Sequence, residues 1–175
     1  MSRRVSTKVG ASAVVIALAF AGALSACGDD SDDAGDSGDS SDTAFTRSAV
    51  NPWQWSVDLG FNQGELVSGA TTTLHLAGQS AMSSDGQPMH DGDMAAQIEL
   101  ALDNLEEVLA EAGMDLGDVV HLNIYTTDVD TLFTNYGLIA GRLGAAGVNP
   151  PGSLLGVSRL AFPELMVELE ATAQQ

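Results

Sequence analysis

Glu168 and Glu170 stand two residues apart in the run from Leu165 to Ala173, a spacing that puts both carboxylates on one face of an extended strand. Such a pair can take up protons as a general base or form a solvated acidic edge, and the residues alone leave both readings open. A glycosidase-type pair is disfavoured, because same-face neighbours lie on one side of a sugar bond. Arg159 is the only cation near these acids and is expected to form a structural ion pair rather than a substrate clamp. His75, His90 and His121 fall on separate segments with no i, i+4 pairing and no neighbouring cysteine, so no metal site is expected. Asp91-Gly92-Asp93 reads as a turn running into a helix cap. Trp53 and Trp55 are expected in core or edge packing, the alternative being a cleft wall against a flat ligand.

The charge distribution removes several chemistries. The chain has 175 residues, 6 basic and 24 acidic, for a formal charge of -18. Arg3, Arg4 and Lys8 lie at the start, and only Arg47, Arg142 and Arg159 follow. Without a lysine beyond position 8, a Schiff-base lysine, a phosphate-loop lysine and a lysine general base are excluded. Nucleic acid is not expected as a partner, because affinity for phosphate backbones needs clustered Lys and Arg. Cys27 is the only cysteine, so neither an internal disulfide nor a thiolate metal site can form.

Residues 1–26 have a basic start, an apolar stretch from Ala11 to Leu24 and a small-residue end, the three parts of a secretory signal. Leu24-Ser25-Ala26-Cys27 resembles the lipobox of bacterial lipoproteins, which implies a lipid on Cys27 and an extracytoplasmic, membrane-anchored protein. From Gly28 to Thr43 the chain is almost wholly Asp, Ser and Gly, too polar to fold alone. Residues 27–43 are therefore the lipidated cysteine and a linker with a reach of about 22 Å. Residues 44–175 then form one domain, large enough for one core and too small for two.

Thr71 to Ala77 alternates as a half-buried strand, and Ser83-Ser84-Asp85-Gly86 reads as a turn. Asp93 is the expected N-cap of a helix through Ala112, with Met94, Ile98, Leu102, Leu105, Leu109 and Ala112 on its apolar stripe and Gly113 as its stop. Asp118 to Tyr125 alternates again. A second helix starts near Asp130, with Leu132, Phe133, Tyr136, Ile139, Ala140 and Leu143 facing inward. Gly137 and Gly141 are expected to let its backbone approach a neighbour. Strands from Ser153 to Leu160 and Leu165 to Ala173 complete the pattern. Two helices can cover only one face of such a sheet, and its other face is only mildly polar, so other subunits are expected to cover it.

The run Ala77-Gly78-Gln79, then Asp85-Gly86, Gln97, Ala101-Leu102-Asp103-Asn104-Leu105, Ala112-Gly113 and Gly117-Asp118-Val119-Val120 resembles the Rid family (RidA, YjgF). Tyr125-Thr126-Thr127-Asp128, Asn135, Arg159-Leu160 and Val167-Glu168-Leu169-Glu170-Ala171 extend the resemblance to the end of the chain. It implies a chorismate-mutase-like α+β fold, a mixed sheet with two helices on one face, and a homotrimer with a barrel core and ligand clefts between subunits. It also implies hydrolysis of 2-imino and enamino acids to 2-oxo acids and ammonia, without a cofactor.

The resemblance makes Asn135 a cleft residue and Glu168 the carboxylate near the attacking water. The family's Pro-x-Arg-Ser/Thr motif, whose arginine grips a substrate carboxylate, is matched here by Pro150-Pro151-Gly152-Ser153. Gly152 cannot supply that charge. With backbone N–H groups near Ser153 and Leu154 as the remaining donors, the expected ligand is a neutral or cationic small organic molecule bound at Asn135, Gly152, Ser153 and Leu154. Hydrolysis of its imine or enamine bond is one expectation, and a non-catalytic binding or scaffold role is the other.

Overall fold

The computed structural model describes residues 44–175; the signal, Cys27 and the linker lie outside the described residues. Strand β1 (Thr46–Val50) leads to a one-turn helix α1 (Trp55–Asp58) and strand β2 (Gly64–Ser68). Two short strands follow, β3 (Thr73–His75) and β4 (Gln79–Ser80), then the long helix α2 (Met94–Glu111). A single 3-10 turn (Leu116–Asp118) feeds β5 (Val119–Thr126), which is followed by helix α3 (Val129–Ala145), β6 (Leu154–Gly156) and β7 (Val167–Gln174). The main sheet runs β3-β7-β5-β6 with β4 also on β7, antiparallel except for the parallel β5–β6 pair. This is the expected α+β class.

Helix α2 forms where its periodicity and caps agree. Met94, Ile98, Leu102, Leu105 and Leu109 are buried, the Ala96 N–H donates to Asp93 Oδ1 at 3.1 Å, and Gly113 takes the positive φ of +74° that ends a helix. Ala112, expected on the stripe, is exposed because it is already the C-cap. Gln97 is fully buried within this apolar face, and its amide is saturated. Nε2 donates to the carbonyls of His90 and Glu164 at 3.1 and 2.8 Å, and Oε1 accepts from the Met166 N–H at 2.7 Å. The amide thus joins α2 to the segment that enters β7.

Helix α3 is capped by Asp128, whose carboxylate accepts from the Thr131 N–H at 2.9 Å and from the Thr131 hydroxyl at 2.8 Å. These two bonds hold the Asp128 carboxyl below its ordinary pKa. A lowered folded-state pKa stabilises the fold where Asp128 is charged, and that contribution is lost as pH falls through the lowered value. Asp128→Ala is therefore expected to lower the melting temperature most at pH 7, with the deficit closing as pH falls below the ordinary carboxylate range; melting curves across pH check this. In the last turn of α3, Arg142 bonds Glu99, Asp103 and Glu106 of α2 at 3.1, 2.5 and 2.8 Å, fastening the helices to each other.

Both helices pack on one sheet face. Leu122 and Ile124 of β5 and Val167, Leu169, Ala171 and Ala173 of β7 meet the apolar stripes of α2 and α3. Alternation leaves Asn123 and Tyr125 of β5, with Glu168, Glu170 and Thr172 of β7, on the other face. A register shift between Val119 and His121 explains why Val119 and Val120 are both buried, where strict alternation expects one outward.

Several expected details change. The expected strands Thr71 to Ala77 and Ser153 to Leu160 are shorter, β3 spanning Thr73–His75 and β6 spanning Leu154–Gly156. Gly137 and Gly141 do not mediate a close approach, since a Cβ at either would meet nothing within 4 Å. The tight contact to α3 is made instead by Gly60, where a Cβ would come within 3.1 Å of Ala140 Cβ. The β1–β2 sheet and α1 carry no clear period and are additions to the sequence pattern. Arg47 of β1 pins this addition to the core by bonding Glu65 of β2 at 2.5 Å, the Gly117 carbonyl, and the Val119 carbonyl at 2.7 Å. Among the described residues the strands pair with one another and close over their own core, so residues 44–175 are expected to fold by themselves.

Candidate functional site

The expected site residues fall on two faces of the sheet. On the face away from the helices, β5 and β7 place Tyr125 opposite Glu168 and Asn123 opposite Glu170. The Tyr125 hydroxyl donates to Glu170 Oε2 at 2.6 Å. That bond, with some burial and the charge of Glu170, raises the phenol pKa, so Tyr125 is a hydrogen-bond donor and not a phenolate at neutral pH. Glu168 accepts a long bond from the Ser80 hydroxyl at 3.4 Å. Its carboxylate lies against the backbone of Gly78, where a Cβ would stand 2.0 Å from Glu168 Oε1. Gly78 is therefore the space that the carboxylate occupies.

Arg159 shares this recess with Tyr125, Glu168 and Glu170. Its Nε donates to the Leu160 carbonyl at 3.2 Å, and among the described residues it makes no ion pair with Glu168 or Glu170, contrary to the expected pairing. His75 and His121 lie on the same sheet face, both opposite Thr172 but on different neighbours of β7. The Thr172 hydroxyl lies 3.4 Å from His75 Nδ1. Asp93 is the α2 cap, as the turn reading of Asp91-Gly92-Asp93 requires.

The helix side of the sheet holds the other group. The segment 151–153 lies along β5, the Leu122 N–H donating to the Pro151 carbonyl at 3.0 Å and the Ile124 N–H to the Ser153 carbonyl at 2.8 Å. Gly152 is pressed onto the strand so closely that a Cβ would stand 1.6 Å from the Leu122 carbonyl oxygen. Gly152, Ser153 and Leu154 line a cavity of about 290 Å³ with Pro150, Leu122, Ile124 and the aromatic residues Trp55, Phe61, Phe133 and Tyr136. The Ser153 N–H, expected as a ligand donor, already donates to Asn123 Oδ1 at 3.1 Å. Asn135 spends its amide N–H groups within α3, on the Thr131 carbonyl at 2.9 Å and the Thr134 hydroxyl at 3.2 Å, and does not line the cavity. Glu168 and the Gly152–Leu154 segment are thus not brought together within one chain.

Comparison with known proteins places this arrangement. The family model described as Endoribonuclease L-PSP matches residues 60–175. The chain belongs to that family, the Rid or YjgF-like proteins. Protein DfrA of Myxococcus xanthus is 31% identical over 128 residues, 73% of this chain and 95% of that protein. The RutC family protein YjgH of Escherichia coli K12 is 31% identical over 88 residues, 50% of this chain and 66% of that protein. The crystal structure of YyfB, a Rid-family protein of unknown function from Yersinia pestis, superposes with a TM-score of 0.65 at 37% identity, covering 74% of this chain and 98% of that one.

For this Rid-family chain, the residues that sequence reasoning missed are those of the aromatic wall. Phe133 was expected on the inner stripe of α3 but is 60% exposed at the cavity. Trp55, 55% exposed, takes the cleft-wall alternative. Leu59, Gly60 and Phe61 follow α1 in an irregular turn with no period to mark it.

Proposed function

We propose that this Rid-family protein works outside the cytoplasm, tethered through lipid on Cys27, as a homotrimer that binds a small uncharged or cationic organic molecule and hydrolyses its imine or enamine bond. The observation that carries the reading is the contact of Gly152 with β5: the position where the resemblance calls for an arginine holds backbone against backbone, so no side chain stands there to grip a carboxylate. Trimer formation would cover the sheet face that carries Tyr125, Glu168 and Glu170 and would bring chain segments together that one copy keeps on opposite faces.

In this reading Glu168 takes a proton from water as the oxygen attacks the C=N carbon. Protonated Glu168 passes that proton to the nitrogen, and the hydroxyl proton of the resulting carbinolamine then moves to the nitrogen as the C–N bond breaks, releasing ammonia and leaving a carbonyl. No cofactor takes part. Action on RNA, suggested by the family's name, fits the charges poorly, since Arg47 and Arg142 are both engaged by acids and the chain has no lysine beyond Lys8.

Glu168→Gln is expected to lower imine hydrolysis about 100-fold. Gly78→Ala is expected to approach that loss by pushing the carboxylate aside, with little change in melting temperature, since only a flexible side chain must move. A parent without activity would favour the second reading, a non-catalytic ligand-binding trimer, whereas a Glu168→Gln variant as fast as an active parent would remove Glu168 from the mechanism. Glu168 lying on the face opposite the cavity is the observation on that side. Sedimentation of the 44–175 segment tests the trimer, and a stable monomer would remove the inter-subunit cleft.

A further inference from the structure

The cavity lined by Gly152, Ser153 and Leu154 contains no charged side chain. Its walls are mostly aliphatic and aromatic, and three lining side chains carry polar groups: the Trp55 indole N–H, the Tyr136 hydroxyl and the Ser153 hydroxyl. All three can donate, and none of these groups has a hydrogen-bond partner among the described residues. Burial raises the Tyr136 pKa, so its hydroxyl keeps its proton at neutral pH. Phe133 and Tyr136 stand with ring centroids 6.4 Å apart and planes at 52°, while Trp55 meets Phe61 edge-on at 5.6 Å, so ring faces remain for a flat guest.

We propose that this cavity binds a neutral aromatic molecule of single-ring size that carries one hydrogen-bond acceptor, an aryl ketone or amide in class. The volume, about 290 Å³, is at the small end for ligand sites and fits one substituted ring. An anion would enter an apolar site without a cation, in a chain whose formal charge is -18, and would lose its hydration with nothing to replace it. The inference rests on the reading of the Gly152–Leu154 segment as ligand-binding and adds the chemical class.

The test is calorimetric titration of the 44–175 segment with acetophenone and with benzoate, two rings of nearly equal size that differ in charge. Acetophenone is expected to bind at least about tenfold more tightly than benzoate. Phe133→Ala, at an exposed wall position that the core does not need, is expected to weaken acetophenone by about tenfold, and Tyr136→Phe to weaken it by about threefold. Benzoate binding as well as acetophenone overturns the neutral class while leaving a ligand site in place. Acetophenone binding that both variants leave unchanged overturns the assignment to this cavity. No binding by either probe overturns this inference and the ligand-binding reading of Gly152–Leu154 together.

Discussion

Gly152→Ala is expected to destabilise the 44–175 segment by about 3 kcal/mol or more, and Gly152→Arg by at least as much. The added Cβ would stand 1.6 Å from the Leu122 carbonyl oxygen and 2.5 Å from its carbonyl carbon. Neither atom can rotate away as a side chain could. Relief requires lifting 151–153 from β5, which breaks the bonds from the Leu122 and Ile124 N–H groups to the Pro151 and Ser153 carbonyls. Denaturant unfolding measures the effect, with Gly137→Ala as the control: that position has nothing within 4 Å and lies inside α3, so alanine is expected to be neutral or to stabilise by about 0.5–1 kcal/mol. Replacing the missing arginine by substitution therefore tests the packing of this segment before it tests catalysis. A Gly152→Ala variant as stable as the parent would mean that the segment can leave the strand.

The second large effect is expected at Gln97. Gln97→Leu keeps the approximate volume but leaves the carbonyl of Glu164 and the N–H of Met166 without a partner, while the His90 carbonyl keeps its bond from the Asp93 N–H at 2.9 Å. Around the fully buried Gln97 side chain such losses cost about 1–3 kcal/mol for each orphaned group, so a total of about 2 kcal/mol or more is expected for the two. Because Met166 lies two residues before Glu168, the loss should also loosen the start of β7, read as faster amide exchange there than in α2. Equal stability of Gln97→Leu and parent would show that water replaces the amide.

The helices were legible in the sequence through their periods. Met94 to Leu109 also has its cap legible in Asp93, whereas the period of α3 puts its start near Asp130 and the structure sets it at Val129, behind the Asp128 cap that the spacing alone does not mark. The strands β3 and β6, three residues each, were legible only as places: a run that short has no period, and pairing with β7 and β5 decides its ends. The β1–β2 sheet was missed for a related reason, since Arg47 anchors it through carbonyls seventy residues away that no local pattern reports.

The site divides in the same way. Alternation along β7 already put Glu168 and Glu170 on one face. That Gly152 and Leu154 line a cavity on the opposite side depends on the register of Leu154 with Ile124, which is a property of the folded sheet. Phe133 looked like a core residue by spacing, and the stripe of α3 is right for its neighbours Leu132 and Ile139. Phe133 itself stays exposed because Trp55, Leu59 and Phe61 gather there and leave a gap instead of a packed interface.

Under the proposed function, this Rid-family protein has no carboxylate grip at Gly152 and takes uncharged or cationic ligands. The most direct measurement compares hydrolysis, above the spontaneous rate, of a 2-imino acid and of the imine with the same carbon skeleton but no carboxylate, using the 44–175 segment. Faster turnover of the uncharged imine is the predicted result. Preference for the 2-imino acid would contradict it, and would place a carboxylate-binding group elsewhere in the assembled protein.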